Sequence, residues 1–219
     1  SPAGVEPLLA VLEDADLHVR LHAVEALGAI EDRRATPGLL RALRAPEVEL
    51  RRAAAEALAE VEDPSAVAAL AGALREDRDA EVRRGVAHAL GEIESPHSAA
   101  ALTTVLRDGD PHVRRAAVHG IGETGVREAP AALLDALRDG DRQVREAAAG
   151  ALGSIGDARA VPGLRAVLRD TDPEVRRAAL HALTELEAEI PNDVLLEALR
   201  DPDPEVREIA AHALGDRRE

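Results

Sequence analysis

The chain has 219 residues, 46% of them apolar, and 42 acidic against 27 basic residues give a formal net charge of −15. Every basic residue is Arg, and Lys, Cys, Met, Phe, Tyr and Trp do not occur, which excludes disulfides, thiol catalysis, cysteine-bound metal clusters, base stacking and aromatic ligand cages. Strong acidity argues against a nucleic-acid partner. The lack of any apolar run near ~20 residues, or of a secretory signal, argues against a membrane and for a cytoplasmic location.

In chain order, one unit recurs. Val-Arg, or once Leu-Arg, stands at Val19-Arg20, Leu50-Arg51, Val82-Arg83, Val113-Arg114, Val144-Arg145, Val175-Arg176 and Val206-Arg207. The spacing is 31 residues, and 32 once, from one insertion near Glu76. Units fall at about 1–31, 32–62, 63–94, 95–125, 126–156, 157–187 and 188–219, read as one domain with no linker. Each unit carries two apolar patterns of helical spacing, as in Val161, Leu164 and Leu168, then Val175, Ala179, Ala182, Leu183 and Leu186. The turn between them is Asp-x-Asp in six of the seven units. Its second Asp is placed to cap the following helix, with Pro opening that helix at Pro111, Pro173 and Pro204. Gly28, Gly91, Gly122, Gly153 and Gly215 fall where the second helix is expected to end.

These patterns predict an all-α chain of about 14 helices in seven hairpins. A lone hairpin cannot bury its apolar faces and must lean on the next one. With helix axes ~8–10 Å apart, seven stacked hairpins extend on the order of 70 Å.

The pattern resembles the HEAT repeat, in particular the short bacterial form of phycobilin lyase subunits. The resemblance rests on Pro37, Leu39, Pro162 and Leu164 in the first helices, on the Asp-x-Asp turns, on Val-Arg and on the closing Ala-Leu-Gly. It implies an α-solenoid wound as a right-handed curved superhelix, with second helices lining the concave face. Such repeats occur in lyase subunits, scaffolds and regulatory arms. Deoxyhypusine hydroxylase uses similar repeats to hold iron through His-Glu pairs, but no His here precedes Glu. Neither a catalytic set, a metal site nor a cofactor is therefore expected.

Two sets of side chains stand out. The first is a ladder of repeated charges: Asp16 and Arg20, Asp79 and Arg83, Asp110 and Arg114, Asp141 and Arg145, Asp172 and Arg176, Asp203 and Arg207. Its reading is structural, each Arg pairing with turn carboxylates of its own or the next unit. The second set lies just beyond, where Arg84/His88, Arg115/His119 and Arg177/His181 share a helix face at a spacing of four, joined by Arg52 and His212. On a concave side they form a basic stripe suited to an acidic peptide or a helix end of another protein; pairing with neighbours such as Glu81 and Glu174 is the alternative. Equivalent His residues on stacked units are ~10 Å apart, too far to share a zinc ion.

The ends are apolar rather than capped, with Val5, Leu8, Leu9 and Leu12 at one and Val206, Ile209 and Leu214 at the other, before Asp216-Arg217-Arg218-Glu219. That predicts a fragment of a longer protein or end-to-end self-association. The restricted alphabet fits a GC-rich genome and unit duplication, or engineering. The functional expectation is a non-catalytic scaffold for a protein or peptide. The alternatives are an accessory subunit of a bilin-lyase-like enzyme and a designed, self-assembling repeat without a natural ligand.

Overall fold

A computed structural model describes residues 2–93, 95–186, 190 and 192–215. Asp216-Arg217-Arg218-Glu219, which follow the last apolar helix in the sequence, lie outside the described residues. Fourteen α-helices and four short 3-10 turns make up the described residues, with no strand among them. The chain divides into two compact units, residues 1–125 and 126–219.

The first unit contains four hairpins: α1 (Val5–Val11) with α2 (Leu17–Gly28), α3 (Thr36–Ala42) with α4 (Val48–Val61), α5 (Val67–Glu76) with α6 (Ala80–Glu92), and α7 (Pro96–Thr103) with α8 (Pro111–Glu123). The second unit contains three: α9 (Ala131–Ala136) with α10 (Arg142–Ile155), α11 (Val161–Val167) with α12 (Pro173–Glu185), and α13 (Asn192–Ala198) with α14 (Pro204–Gly215). Within each unit the second helices pack in sequence, α2 on α4 on α6 on α8, and α10 on α12 on α14. The inserted residue is absorbed in α5, which runs to ten residues where the other first helices have six to eight.

Local chemistry sets the hairpin corners. Asp16, Asp79, Asp110, Asp141, Asp172 and Asp203 each accept backbone N–H groups at the start of the following helix, at 2.8 to 3.2 Å, which satisfies donors that no preceding turn can reach. The first Asp of each such turn accepts the N–H of the second, as Asp77 does from Asp79 at 2.9 Å. Pro111 and Pro173 open their helices where a missing N–H costs nothing.

Gly28 and Gly215 end α2 and α14 as expected, but the other three glycines differ. Gly91, Gly122 and Gly153 lie inside helices that run on to Glu92, Glu123 and Ile155. Left-handed backbone falls instead at Glu31, Glu62, Gly125 and Gly156. What requires glycine is close packing of neighbouring second helices. A Cβ on Gly91 would come within 2.7 Å of the Gly120 Cα, and one on Gly153 within 3.0 Å of the Ala182 Cα. Small residues thus let helix backbones touch, and Leu39, Leu58, Leu70, Leu90, Leu102, Leu152, Leu164 and Leu183 fill the space between rows with no exposure. Each such side chain contributes ~1.5–3 kcal/mol.

The ladder is present with a changed partner. Arg51 forks onto Asp77 (2.7 and 3.2 Å), Arg83 onto Asp108 (2.8 and 2.9 Å), Arg145 onto Asp170 (2.7 and 2.9 Å) and Arg176 onto Asp201 (2.8 and 2.6 Å). In every case the acceptor is the first Asp of the next turn. Asp79, Asp110, Asp141, Asp172 and Asp203 instead accept helix N–H groups, and the ladder arginines do not fork onto them. The remaining guanidinium nitrogen donates to a carbonyl of the Arg's own turn, as Arg83 does to Asp77 at 3.0 Å and Arg114 to Asp108 at 2.8 Å. One turn tests the rule. The second unit of the sequence has Ala45 where the first Asp belongs, and there Arg20 reaches Glu47 at 2.6 Å, while Glu47 makes no cap to α4.

Each fork joins partly buried groups through charge-assisted hydrogen bonds, which contribute ~1.5–3 kcal/mol net. Asp170→Ala is expected to lower the urea unfolding stability by about 2 kcal/mol. Removing the exposed partner of Arg169 by Glu197→Ala is expected to cost no more than ~0.5 kcal/mol. Equal losses in the two variants would contradict the ranking.

Candidate functional site

The second helices of the first unit present three columns of side chains. Residues four apart share a helix face, so Arg52, Glu56 and Glu60 line α4, Arg84, His88 and Glu92 line α6, and Arg115, His119 and Glu123 line α8. All nine are exposed except Arg115, which is half-buried.

The first column, the cationic one, is tied down. Arg52 forks onto Asp79 at 3.0 and 2.8 Å, bridging the second hairpin to the third. Hydrogen bonding to Asp79 raises the pKa of Arg52, and the same contact leads the lowering at Asp79. Arg84 pairs with Glu81 at 2.6 Å on its own helix. In the second column His88 lies 3.4 Å from Glu92, and His119 is exposed. In the second unit, Arg177 pairs with Glu174 and Glu205 and lies 3.8 Å from Asp203. Burial opposes the Arg177 charge, and these carboxylates outweigh it, raising its pKa. His181 and His212 are exposed on α12 and α14, in line with their counterparts.

The basic stripe read from spacing is thus a set of ion pairs at Arg52, Arg84 and Arg177. The third column carries the opposite sign. Glu60, Glu92 and Glu123 occupy one repeat position on three helices packed in sequence, and all three are exposed. Among the described residues no cation lies within ion-pairing distance of Glu25, Glu56, Glu60 or Glu123. The sequence signal was available, since each Glu follows a small residue (Ala59, Gly91 or Gly122) at or next to the end of its helix. Pairing with Glu81 and Glu174, the alternative open in the sequence, is what Arg84 and Arg177 show.

Grooves open between successive first helices where a glycine removes a side chain. In the first unit one is lined by Leu12, Glu13, Arg20, Gly38, Arg41 and Glu47. In the second unit its counterpart is lined by Leu137, Arg138, Arg145, Arg159, Gly163 and Arg169. Arg145, Arg159 and Arg169 there are paired with Asp170, Asp157 and Glu197. Asp157 is buried and accepts the Ala129 N–H at 2.8 Å besides the Arg159 fork. Among the described residues no three His, Asp or Glu side chains converge as metal ligands. No helix among them is long and apolar enough to cross a membrane.

Stacked helical hairpins of about 31 residues, with Asp-capped turns and an Arg on the next turn's carboxylate, define an α-helical repeat scaffold. The chain belongs to the HEAT-repeat family, whose model matches residues 1–49, 36–110, 99–184 and 161–219. No curated protein matches the sequence. Among solved structures, the chain is similar to the CpcE–CpcF complex of phycocyanin lyase from Nostoc, at 24% identity and TM-score 0.61 over 95% of this chain and 94% of that one. It is similar to Escherichia coli YibA, at 21% identity and TM-score 0.67 over 96% and 81%. A designed armadillo repeat protein in complex with the peptide (KR)4 matches at 17% identity and TM-score 0.60 over 83% of this chain and 99% of that one. These likenesses show the fold.

Acid sensitivity follows from the paired carboxyls. Partial burial would raise Asp108, Asp170 and Asp201, but the Arg forks and turn N–H groups outweigh it and hold each below the usual carboxylate value. Hydrogen bonds from Arg34 hold Asp32 at about 2, and those from Arg159 hold Asp157 lower still. A depressed folded pKa gives stability that is present above the unfolded value of ~3.9 and lost as pH falls through the folded one. Unfolding midpoints are therefore expected to fall below about pH 4. Asp157→Asn is expected to be less stable than the parent at neutral pH and to converge on it in acid. A constant gap between the two down to strong acid would contradict this.

Proposed function

We propose that this HEAT-repeat scaffold is non-catalytic and binds a basic peptide segment of a protein partner across the second helices of its first unit. The observation that carries this reading is the column Glu60, Glu92 and Glu123, exposed on three successive helices beside arginines already neutralised by their own carboxylates. An acidic partner, the reading that spacing alone suggests, would meet these carboxylates and an overall charge of −15.

Geometry supports a particular ligand. Stacked helix axes lie ~8–10 Å apart, and three extended residues span about 10 Å. An extended segment crossing the helices would set a cation opposite each Glu with Arg or Lys at every third position. Such contacts sit on a solvated surface, so they steer encounter and register more than they add affinity. Moderate affinity that weakens with salt follows.

The test is fluorescence anisotropy with a labelled peptide carrying Arg at every third residue. Combined Glu60→Arg, Glu92→Arg and Glu123→Arg is expected to weaken binding by about tenfold or more. Glu6→Arg, Glu62→Arg and Glu76→Arg together make the same charge change elsewhere and are expected to retain most of the affinity. Equal weakening by both triple variants would reduce the effect to net charge, and tighter binding of an Asp-rich peptide would overturn the proposal.

A further inference from the structure

The groove between α1 and α3 and its counterpart between α9 and α11 differ in sign and in filling. The first is rimmed by Glu13, Asp14 and Glu47 against Arg20 and Arg41. The second is lined by four arginines and only two aspartates. Arg138 stands at the repeat position of Glu13, and Ala166 at that of Arg41. The same fold thus carries either charge at this rim, and the basic rim of the second unit is not something the hairpin requires. The floors differ as well. A Cβ on Gly38 would strike both Leu9 and Leu12, so those leucines fill the space that the glycine leaves. Within 4 Å a Cβ on Gly163 would meet Leu137 and no other side chain. Leu134, the counterpart of Leu9, is half-buried and does not reach it. Ala166 puts no long side chain over the opening. A groove of about 470 Å³ remains, the size of a ligand-holding cleft.

The arginines of this groove are unequally committed. Arg145 and Arg159 are forked onto Asp170 and Asp157, which neutralise them locally. Arg169 has one bond to Glu197 at 3.1 Å, between side chains that are 78% and 62% exposed, a contact of little strength. Arg138 is exposed and has no carboxylate within ion-pairing distance among the described residues. Both aspartates of the lining already have partners. Arg138 and Arg169 each lie two residues beyond the end of a first helix, on successive hairpins, which sets them roughly 10 Å apart across the groove.

From an unfilled apolar floor between two available guanidinium groups we infer that the second unit docks a short acidic segment of a protein partner. Its carboxylates meet Arg138 and Arg169, and an apolar side chain of leucine size covers Gly163. In an extended or polyproline segment, residues three apart are separated by about 9–10 Å. Two Glu at that spacing match the two arginines, with an apolar residue between them. Charges beyond ~8 Å are largely screened at physiological salt, so the net −15 of the chain opposes approach at long range more than it weakens the local contacts. The site shares no residue with Glu60, Glu92 and Glu123 and takes a ligand of opposite charge, so neither proposal depends on the other.

Fluorescence anisotropy on the full chain tests it, with a labelled peptide containing Glu-Leu-Ala-Glu. An Asp-rich peptide without leucine leaves the floor uncovered and is expected to bind about tenfold more weakly, or less. Arg138→Glu combined with Arg169→Glu is expected to weaken the leucine peptide by about tenfold or more. Arg44→Glu combined with Arg75→Glu makes the same charge change at the same repeat position of the first unit and is expected to keep most of the affinity. Ala166→Arg adds positive charge while covering the groove, as Arg41 does in the first unit, and is expected to weaken binding by about tenfold. Circular dichroism checks that the variants remain helical, with Arg138→Gln and Arg169→Gln replacing any charge reversal that does not. A parent that does not bind the peptide, equal weakening by both double variants, or tighter binding by Ala166→Arg would each overturn the inference.

Discussion

The structure depends on an arginine that belongs to one hairpin and is satisfied by the next. Its planar group donates in two directions at once, to carbonyls of its own turn and to the carboxylate that opens the following turn. A lysine ammonium has no such fork, and the chain contains no Lys. Neither neighbour can rotate or slide without breaking hydrogen bonds in both. The surrounding contact is made by small side chains such as Ala54, Ala55, Ala87 and Ala117, all fully buried. Smooth Ala-rich surfaces supply attraction but little registration, and the fork supplies what they lack. Desolvation offsets much of the Coulombic gain of a partly buried ion pair, so fixing register is the larger part of their contribution.

The two aspartates of each turn divide the labour. The second stops the approach to the helix by capping it; the first holds its partner's N–H with one oxygen and offers the carboxylate to the preceding Arg. Replacing the first by Ala45 moves the load to Glu47, which reaches Arg20 at 2.6 Å and gives up the cap. That exchange shows the contact between hairpins persisting, as a single bond, where the cap does not.

Much of this was legible in the sequence. A repeat of 31 residues, Asp at the N-caps and Pro at the first helical position fixed where each hairpin turns, because these signals act within a few residues. The Arg partner was less accessible: two aspartates separated by one residue are equivalent in a string, and only the fold shows that Asp108 faces Arg83 while Asp110 faces its own helix. Glycine was ambiguous for the same reason. Gly91 and Gly153 read as helix ends, yet a neighbouring backbone too close for a Cβ explains them. Of the two readings the sequence left open for the exposed face, pairing fits Arg52 and Arg84, whose carboxylate partners at Asp79 and Glu81 lie close in space, beside the exposed Glu60, Glu92 and Glu123.

A double-mutant cycle on Arg145 and Asp170, followed by urea unfolding, tests the fork most directly. The account predicts a coupling of about 1.5–3 kcal/mol for this pair, and near zero for Arg145 with Asp141, which caps α10. A coupling of Arg145 to Asp170 that is no larger than its coupling to Asp141 would contradict the view that each hairpin is registered by the carboxylate of the next.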